Sequence, residues 1–478
     1  MNYRMIKYTL GWLLLFEAGF FLVPLITAAV YAEREIWCFA LSMMICVAAA
    51  LLMFVGKPKN RVLYAREGFV IVSLSWIFLS IFGAVPLVLS GVTPSYIDAL
   101  FETVSGFTTT GATILPSVEE LPRSILMWRS FTHWVGGMGV LVFIMAILPL
   151  SGGQNMHIMK AESPGPSVSK LVPRVRTTAL ILYSIYFALT ALQFILLLIG
   201  DMSVFDALCT SFSTAGTGGF GFKNDSMASF SSYIQIVVTV FMLLFSLNFS
   251  SYYLAFKGRF KDVFNSEIRF FIGVVTVAVT AITLNIRDGF ATVGEAIKHA
   301  AFTVASLVST TGFMTEDFDL WPQFSKNILL LVMFIGACAG STGGGIKVSR
   351  IIILLKGIGR EIKTLLHPHR VRKITMDSRP VDREVVRSTN SYIMVYLVVF
   401  LVSMVLISLD NHSFATGFTS VLATINNIGP GFDMVGPTRN FAFFSVPSKL
   451  VLIFDMIAGR LELFPMLLLF TPSTWRNK

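Results

Sequence analysis

Charge is what this 478-residue chain has least of: Asp, Glu, Lys and Arg make up 13% of it, about half the usual share in a soluble domain. A water-exposed globule of this length is excluded. Cysteine (4) and histidine (6) are also few. Cys38, Cys46, Cys209 and Cys338 show no ligand spacing and mostly fall in apolar runs, so they read as small buried thiols, not as a disulfide framework. His367-Pro368-His369 lies in a basic loop without nearby carboxylates or cysteines, a poor zinc donor set. The apolar segments carry no Ser/His/Asp or metal-ligand cluster, and no G-x-G-x-x-G follows a strand. Enzymatic activity, a covalently bound cofactor and a nucleotide site within the chain are therefore not expected.

What the chain has instead is apolar length. Hydrophobic residues reach 55% and the mean hydropathy is +0.74. Runs near the roughly 20 residues that cross a hydrocarbon core fall at Tyr8–Ala32, Trp37–Val55, Phe69–Ser90, Ser124–Leu150, Thr178–Ile199, Tyr233–Phe256, Ile268–Leu284, Asn327–Leu355, Ser391–Leu409 and Val446–Phe470. The composition predicts an all-α polytopic membrane protein of about ten spans. The first run is too long for a signal peptide, carries Glu17 and lacks a cleavage site, so it reads as a retained helix. With the N-terminus inside, 27 of the 37 Lys/Arg face the cytoplasm and 9 the opposite side, Arg460 being within a span. Acidic residues run the other way, 16 outside and 8 inside. The net charge of +10 is thus a topology signal with both termini cytoplasmic, and nucleic-acid binding is not expected.

Four short apolar segments, Tyr96–Phe107, Val204–Ser213, Ala296–Val308 and Phe414–Ile425, are too short to cross and each runs into a Thr/Ser/Gly-rich stretch. Counting back thirteen residues from Gly111, Gly219, Gly312 and Gly429 reaches Asp98, Asp206, His299 and Thr416, each opening a similar string (DALFE, DALCT, HAAFT, TGFTS). Asp98, Asp206 and Thr416 read as N-caps of short re-entrant helices, His299 as a weaker one. Non-helical backbone at membrane depth survives only in a protein interior or a watery cavity, so the four stretches should converge on one axis. A glycine lets carbonyls turn toward that axis, and rings of carbonyl oxygens replace a cation's water shell. Thr109, Thr110, Gly218, Thr310, Thr311, Asn427 and Ile428 precede the glycines and should supply neighbouring carbonyls. Stretch 4, Asn426-Asn427-Ile428-Gly429-Pro430-Gly431, and stretch 2, with Gly218 in place of a threonine, make the ring asymmetric, which predicts relaxed selectivity with rubidium and some sodium passing.

The units divide as 1–65 (an N-terminal helix pair), 66–176, 177–262, 263–386 and 387–478, the last four each a span, a short helix and a second span. Within the third lies Gly336-Ala337-Cys338-Ala339-Gly340-Ser341-Thr342-Gly343-Gly344-Gly345-Ile346-Lys347. Five glycines, each about 1 kcal/mol worse than alanine in a helix, predict a broken helix. The phosphate-loop reading fails because Ile346 stands where the lysine belongs and Lys347 comes one residue late. A flexible loop over 336–347 on the cytoplasmic side of the ring is the better reading, with Gly340, Ser341, Thr342, Gly343, Gly344, Gly345 and Lys347 as gate residues. Arg460 must face a cavity or a partner at its depth: it lines the pore or pairs with Asp455 or Glu462. A transporter with discontinuous helices also breaks helices at mid-membrane, so coupling to H+ or Na+ stays open.

GFTTTGAT, HWVGGMGVLVF, FSTAGTGGFGF, STTGF, GACAGSTGGGIKVSR, NNIGPGF and the terminal GRLELFPMLLLFTPSTWR, in this order, resemble the Trk/Ktr/HKT superfamily of potassium transporters, nearest to its bacterial Trk-type membrane subunits (TrkH/TrkG-like). The resemblance spans nearly the whole chain. It implies fourfold pseudosymmetry around one pore, K+ as the transported ion, and Gly111, Gly219, Gly312 and Gly429 as the selectivity-filter glycines. Serine at the first of these accompanies sodium transport in some plant relatives, and glycine at all four here implies potassium. It also implies an intramembrane gate loop, Arg460 as an electrostatic barrier below the filter, a homodimer in the bacterial inner (plasma) membrane, and a cytosolic TrkA-like regulatory subunit binding ATP, ADP or NAD(H). The 11 Lys/Arg of 347–387 would dock that subunit or anionic membrane lipid.

Overall fold

The structure is a computed structural model that describes residues 1–56, 58, 64–139, 175–367, 373–377 and 379–476. Apolar runs without an interior proline form its long helices. An N-terminal pair, α1 (Tyr3–Phe20) continued by α2 (Leu22–Val30) and returned by α3 (Ile36–Phe54), packs on α4 (Ala65–Gly83), which a short α5 (Val85–Leu89) extends. From α4 onward one pattern recurs. A long helix is followed by a short one of 12 to 16 residues, then by an irregular stretch and a return helix. The long helices are α4, α8 (Val175–Ile199), α12 (Ser266–Ile286) and α16 (Arg383–Ile407). The short ones are α6 (Tyr96–Phe107), α9 (Val204–Ala215), α13 (Val293–Val308) and α17 (Phe414–Ile425).

The described residues do not form ten unbroken spans. Among the described residues six helical segments are long and apolar enough to cross a membrane, or seven if one bent pair counts as a span. The difference lies in the return helices. The second is α10 (Ser232–Phe245) followed, after a 91° bend, by α11 (Phe249–Phe256). The third is split by residues 336–347 into α14 (Gln323–Ile335) and α15 (Val348–Leu366), as its glycines predict. The fourth stops at Arg460 (α18, Val446–Arg460) and restarts as α19 (Phe464–Leu469), because Glu462 and Leu463 adopt left-handed φ of 58° and 67°. In the first, α7 (Arg123–Gly137) is described, whereas residues 140–150 of the expected Ser124–Leu150 span lie outside the described residues. So do Pro368 and His369. A two-residue antiparallel pairing of Thr375–Met376 with Arg379–Pro380 precedes α16.

Packing follows composition. Phe101, Phe107, Trp128 and Leu452 are fully or nearly fully buried where short and return helices meet, while Ile26, Leu51, Val277, Leu331 and Val405 stand exposed on the outer faces. An apolar rim is what a lipid-facing surface requires. The short helices are capped, but not where expected. Ser95, Ser203, Thr292 and Ser413 are the N-caps, and their hydroxyls accept from the amides of Asp98, Asp206, Glu295 and Thr416 three residues on. Asp98, Asp206 and Thr416 thus occupy the first turn, and His299 lies inside α13, which starts one turn earlier than its counterparts. All four cysteines are free and buried, as expected.

Candidate functional site

Each short helix ends in the same way. The second residue after the helix, Thr109, Thr217, Thr310 or Asn427, has a left-handed φ of 57°, 55°, 60° or 53°. Its N–H reaches the carbonyl three residues back (Gly106, Thr214, Leu307, Thr424), and the next N–H reaches five back (Ser105, Ser213, Ser306, Ala423) at 2.8–2.9 Å. This is a Schellman end, here built with threonine and asparagine where glycine is usual. A non-glycine residue in this region carries strain that the surroundings must hold.

Two residues later come Gly111, Gly219, Gly312 and Gly429, again at positive φ (78°, 75°, 85°, 98°). A Cβ added to any of them meets a carbonyl oxygen of a neighbouring stretch. Gly111 would overlap Gly218 O, Gly219 would overlap Thr311 O, Gly312 would overlap Ile428 O, and Gly429 would come within 2.7 Å of Thr110 O. The contacts run first to second, second to third, third to fourth and fourth to first. Four segments up to 318 residues apart therefore close a ring, and Gly218, Thr311, Ile428 and Thr110 are the residues whose carbonyls line its joints. The C-terminal ends of four helices, where carbonyls go unpaired and the helix dipole is negative, adjoin this ring. Such an arrangement favours a cation.

One side of the ring opens on a cavity of about 130 Å³ lined by all four glycines and by Thr113, Arg129, Lys223, Asn440 and Arg439 among others. Its wall is fixed by a buried ion pair. Glu102 of α6 receives Arg129 of α7 at 2.8 Å, together with the Thr113 hydroxyl and the Ile114 amide. A second buried pair, Lys449 to Asp98 at 2.6 Å, ties α18 to α6.

On the other side lies the glycine loop, and every predicted gate residue is part of it. Gly344 N donates to the Thr310 hydroxyl at 2.7 Å, and a Cβ on Gly343 or Gly344 would meet Ser309 O or Asn426 O. The loop is pinned, not loose. Cys338 N and the Thr342 hydroxyl donate to Ser246 O and Phe245 O, Phe249 N donates to Gly340 O, Ala339 N and Ser349 N donate to the Glu267 carboxylate, Lys347 donates to Gly343 O, and Ser341 to Cys338 O. Arg460 completes the layer. Its guanidinium donates to Thr342 O (2.8 Å), Gly136 O (2.6 Å), Gly137 O (2.7 Å) and the Thr109 hydroxyl (3.3 Å). It therefore touches the loop, the end of α7 and the ring together. Glu462 bridges to Arg350 at 2.5 Å and Asp455 accepts from Ser403.

The ring residues anticipated from sequence are thus gathered in one place, with the loop and Arg460 beneath them. Thr217 was missed although the thirteen-residue frame puts it level with Thr109. His133 of α7, wedged behind Gly218, was missed because a single histidine in an apolar helix carries no sequence signal. No group of three or more His, Cys, Asp or Glu able to hold a metal occurs among the described residues.

A helical membrane protein in which four short helices end on a closed ring of backbone carbonyls has the architecture of an ion-transport protein. The comparisons narrow this. The chain matches the family model TrkH, described as "Cation transport protein", over residues 37–477. It is 37% identical over 488 residues to the "Trk system potassium uptake protein TrkH" of Salmonella typhimurium, and 32% identical to the "Trk system potassium uptake protein TrkG" of Escherichia coli, covering 100% and 99% of each chain. The crystal structure of "the Potassium Transporter TrkH from Vibrio parahaemolyticus" superposes with a TM-score of 0.90 at 33% identity over 100% of both chains. The chain belongs to the TrkH family.

Proposed function

We propose that this chain is the pore-forming subunit of a potassium uptake system. The observation that carries the reading is the cyclic contact of Gly111, Gly219, Gly312 and Gly429 with the carbonyls of the next stretch, which makes a selectivity filter of Thr109, Thr110, Thr217, Gly218, Thr310, Thr311, Asn427 and Ile428 with the glycines. Four converging helix C-termini add negative potential, and potassium is the ion named for the relatives. The filter faces outward, the termini lie in the cytoplasm, and the protein sits in the bacterial inner membrane as a homodimer of five-unit chains divided at 65, 176, 262 and 386. The loop 336–347 and Arg460 close the inner side. Opening requires the loop to leave Thr310 and Phe245, a change that a nucleotide-binding cytosolic subunit docked on the basic 347–387 segment would drive.

A coupled symporter is the second reading, and one observation favours it. Glu17 is fully buried with neither carboxylate oxygen hydrogen-bonded, and one oxygen of Asp455 is likewise unpartnered. Such groups are candidate proton carriers. Proteoliposome rubidium flux under imposed proton or sodium gradients separates the two readings.

Flux in the same vesicles, comparing wild type with Gly312→Ser and Gly429→Ser, tests the filter. A side chain at φ 85° or 98° costs about 1–2 kcal/mol in backbone strain alone and displaces a lining carbonyl. Discrimination between potassium and sodium should fall in both variants, and unchanged flux and preference would refute the assignment.

A further inference from the structure

Stretch 2 is built differently from the others, and the reason lies on a helix of the first unit. The positions three and one before each ring glycine hold Thr108 and Thr110, Gly216 and Gly218, Ser309 and Thr311, and Asn426 and Ile428. In stretches 1 and 3 the two hydroxyls bond each other, Thr108 to Thr110 at 2.8 Å and Ser309 to Thr311 at 2.7 Å. In stretch 4, Asn426 is held by the Tyr396 hydroxyl and donates to Met333 O. Stretch 2 has glycine at both positions and so no side chain at either.

The missing volume is filled by His133. A Cβ on Gly216 would strike the His133 carbonyl, and a Cβ on Gly218 would lie only 2.2–2.5 Å from three atoms of the imidazole ring. The histidine is fully buried. Its Nδ1 lies 2.7 Å from Gly106 O, and its Nε2 accepts from the Phe220 amide at 3.2 Å. A carbonyl oxygen only accepts and a backbone amide only donates, so both contacts are met together only by the neutral ring with its proton on Nδ1. Phe220 follows Gly219 directly, and its carbonyl is held from the other side by the Ser213 hydroxyl at 2.9 Å.

We infer that His133 is a positioning residue for the second quarter of the filter. Its backbone carbonyl takes the space of a side chain at 216 and its imidazole the space of one at 218; the imidazole fixes the Phe220 amide, and so sets where the carbonyls of Gly218 and Gly219 point. This inference rests on the filter reading above. It makes His133 and Gly218 a coupled pair: the threonine found at the matching position of stretches 1 and 3 cannot enter stretch 2 while the imidazole is present, and the imidazole cannot leave without emptying the site.

The test is a double-mutant cycle read as ion preference. Rubidium uptake into proteoliposomes is measured with competing potassium or sodium for wild type, His133→Ala, Gly218→Thr and the double variant, with Gly312→Ser as a control on the filter itself. Each single substitution should lower potassium-over-sodium preference by about tenfold, the worth of one lost hydrogen bond, and the double variant should recover most of it. His133→Gln, which can still accept from Phe220, should keep more preference than His133→Asn, which reaches only Gly106 O. This comparison also decides the matter if His133→Ala does not fold. Independent losses in the cycle, or equal behaviour of Gln and Asn, together with a loss in Gly312→Ser, would overturn the role of His133 while leaving the filter intact. Preference unchanged in Gly312→Ser would instead remove the filter reading and this inference with it.

Discussion

In the proposed pore, replacing Arg460 by alanine should break the layer that holds it shut. Its guanidinium donates to the loop at Thr342 O, to the end of α7 at Gly136 O and Gly137 O, and to the ring at the Thr109 hydroxyl. A hydrogen bond from a charged donor contributes about 1.5–3 kcal/mol. Of these bonds the one to Thr342 ties down the loop, so its loss shifts the closed-to-open ratio by about 2 kcal/mol, roughly 30-fold. The charge acts separately. A potassium ion about 5 Å from the guanidinium at an effective dielectric of about 20 is repelled by about 3 kcal/mol. Both terms vanish in Arg460→Ala, and rubidium uptake into proteoliposomes lacking any partner should rise at least tenfold. Arg460→Lys keeps the charge but loses the fork geometry and should give a smaller rise. Flux equal to or below wild type, in protein with an unchanged elution profile, would refute the reasoning and leave Arg460 a structural tie.

Lys449→Met strands the Asp98 carboxylate, whose side chain is 11% exposed, and should cost about 3–5 kcal/mol of stability. Lys449→Met with Asp98→Asn should cost clearly less, and equal melting losses in detergent would deny the pair its cross-linking role. In the connection after Gly429, Asp433 accepts from the Ser413 and Thr416 hydroxyls, which hold its carboxyl below the ordinary value of 3.8. A depressed folded pKa stabilises above the unfolded value and is lost as pH falls through the folded one. The melting-temperature gap between wild type and Asp433→Asn should therefore be widest near neutrality and close below about pH 4; a gap independent of pH would contradict it.

The ring was legible because it is a local pattern repeated four times: a thirteen-residue frame fixes Gly111, Gly219, Gly312 and Gly429 without any tertiary information. Three caps were misread by three residues because Ser95 and Asp98, or Ser413 and Thr416, are both good cap residues, and only the hydrogen bond from the first-turn amide tells them apart; the fourth, expected at His299, lies at Thr292 because that helix starts a turn earlier. The breaks in the return helices were legible at residues 336–347, where glycines cluster, and hidden at Ser246–Asn248 and Leu461–Leu463. There no glycine or proline marks the break, and the left-handed φ falls on Glu462 and Leu463, residue types that do not announce it. Arg460 was legible as a charge needing partners, but not which ones, since Gly136, Gly137 and Thr342 offer backbone carbonyls that no side-chain pattern announces. His133 lies beyond sequence reasoning for the same reason, its partners being Gly106 O and the Phe220 amide 87 residues away.

The most direct measurement of the central claim is anomalous diffraction from crystals grown in rubidium. Density is expected on the axis bounded by the carbonyls of Thr110, Gly218, Thr311 and Ile428, weakened in Gly312→Ser. Rubidium bound only elsewhere, or an axis without anomalous density at saturating rubidium, would contradict it.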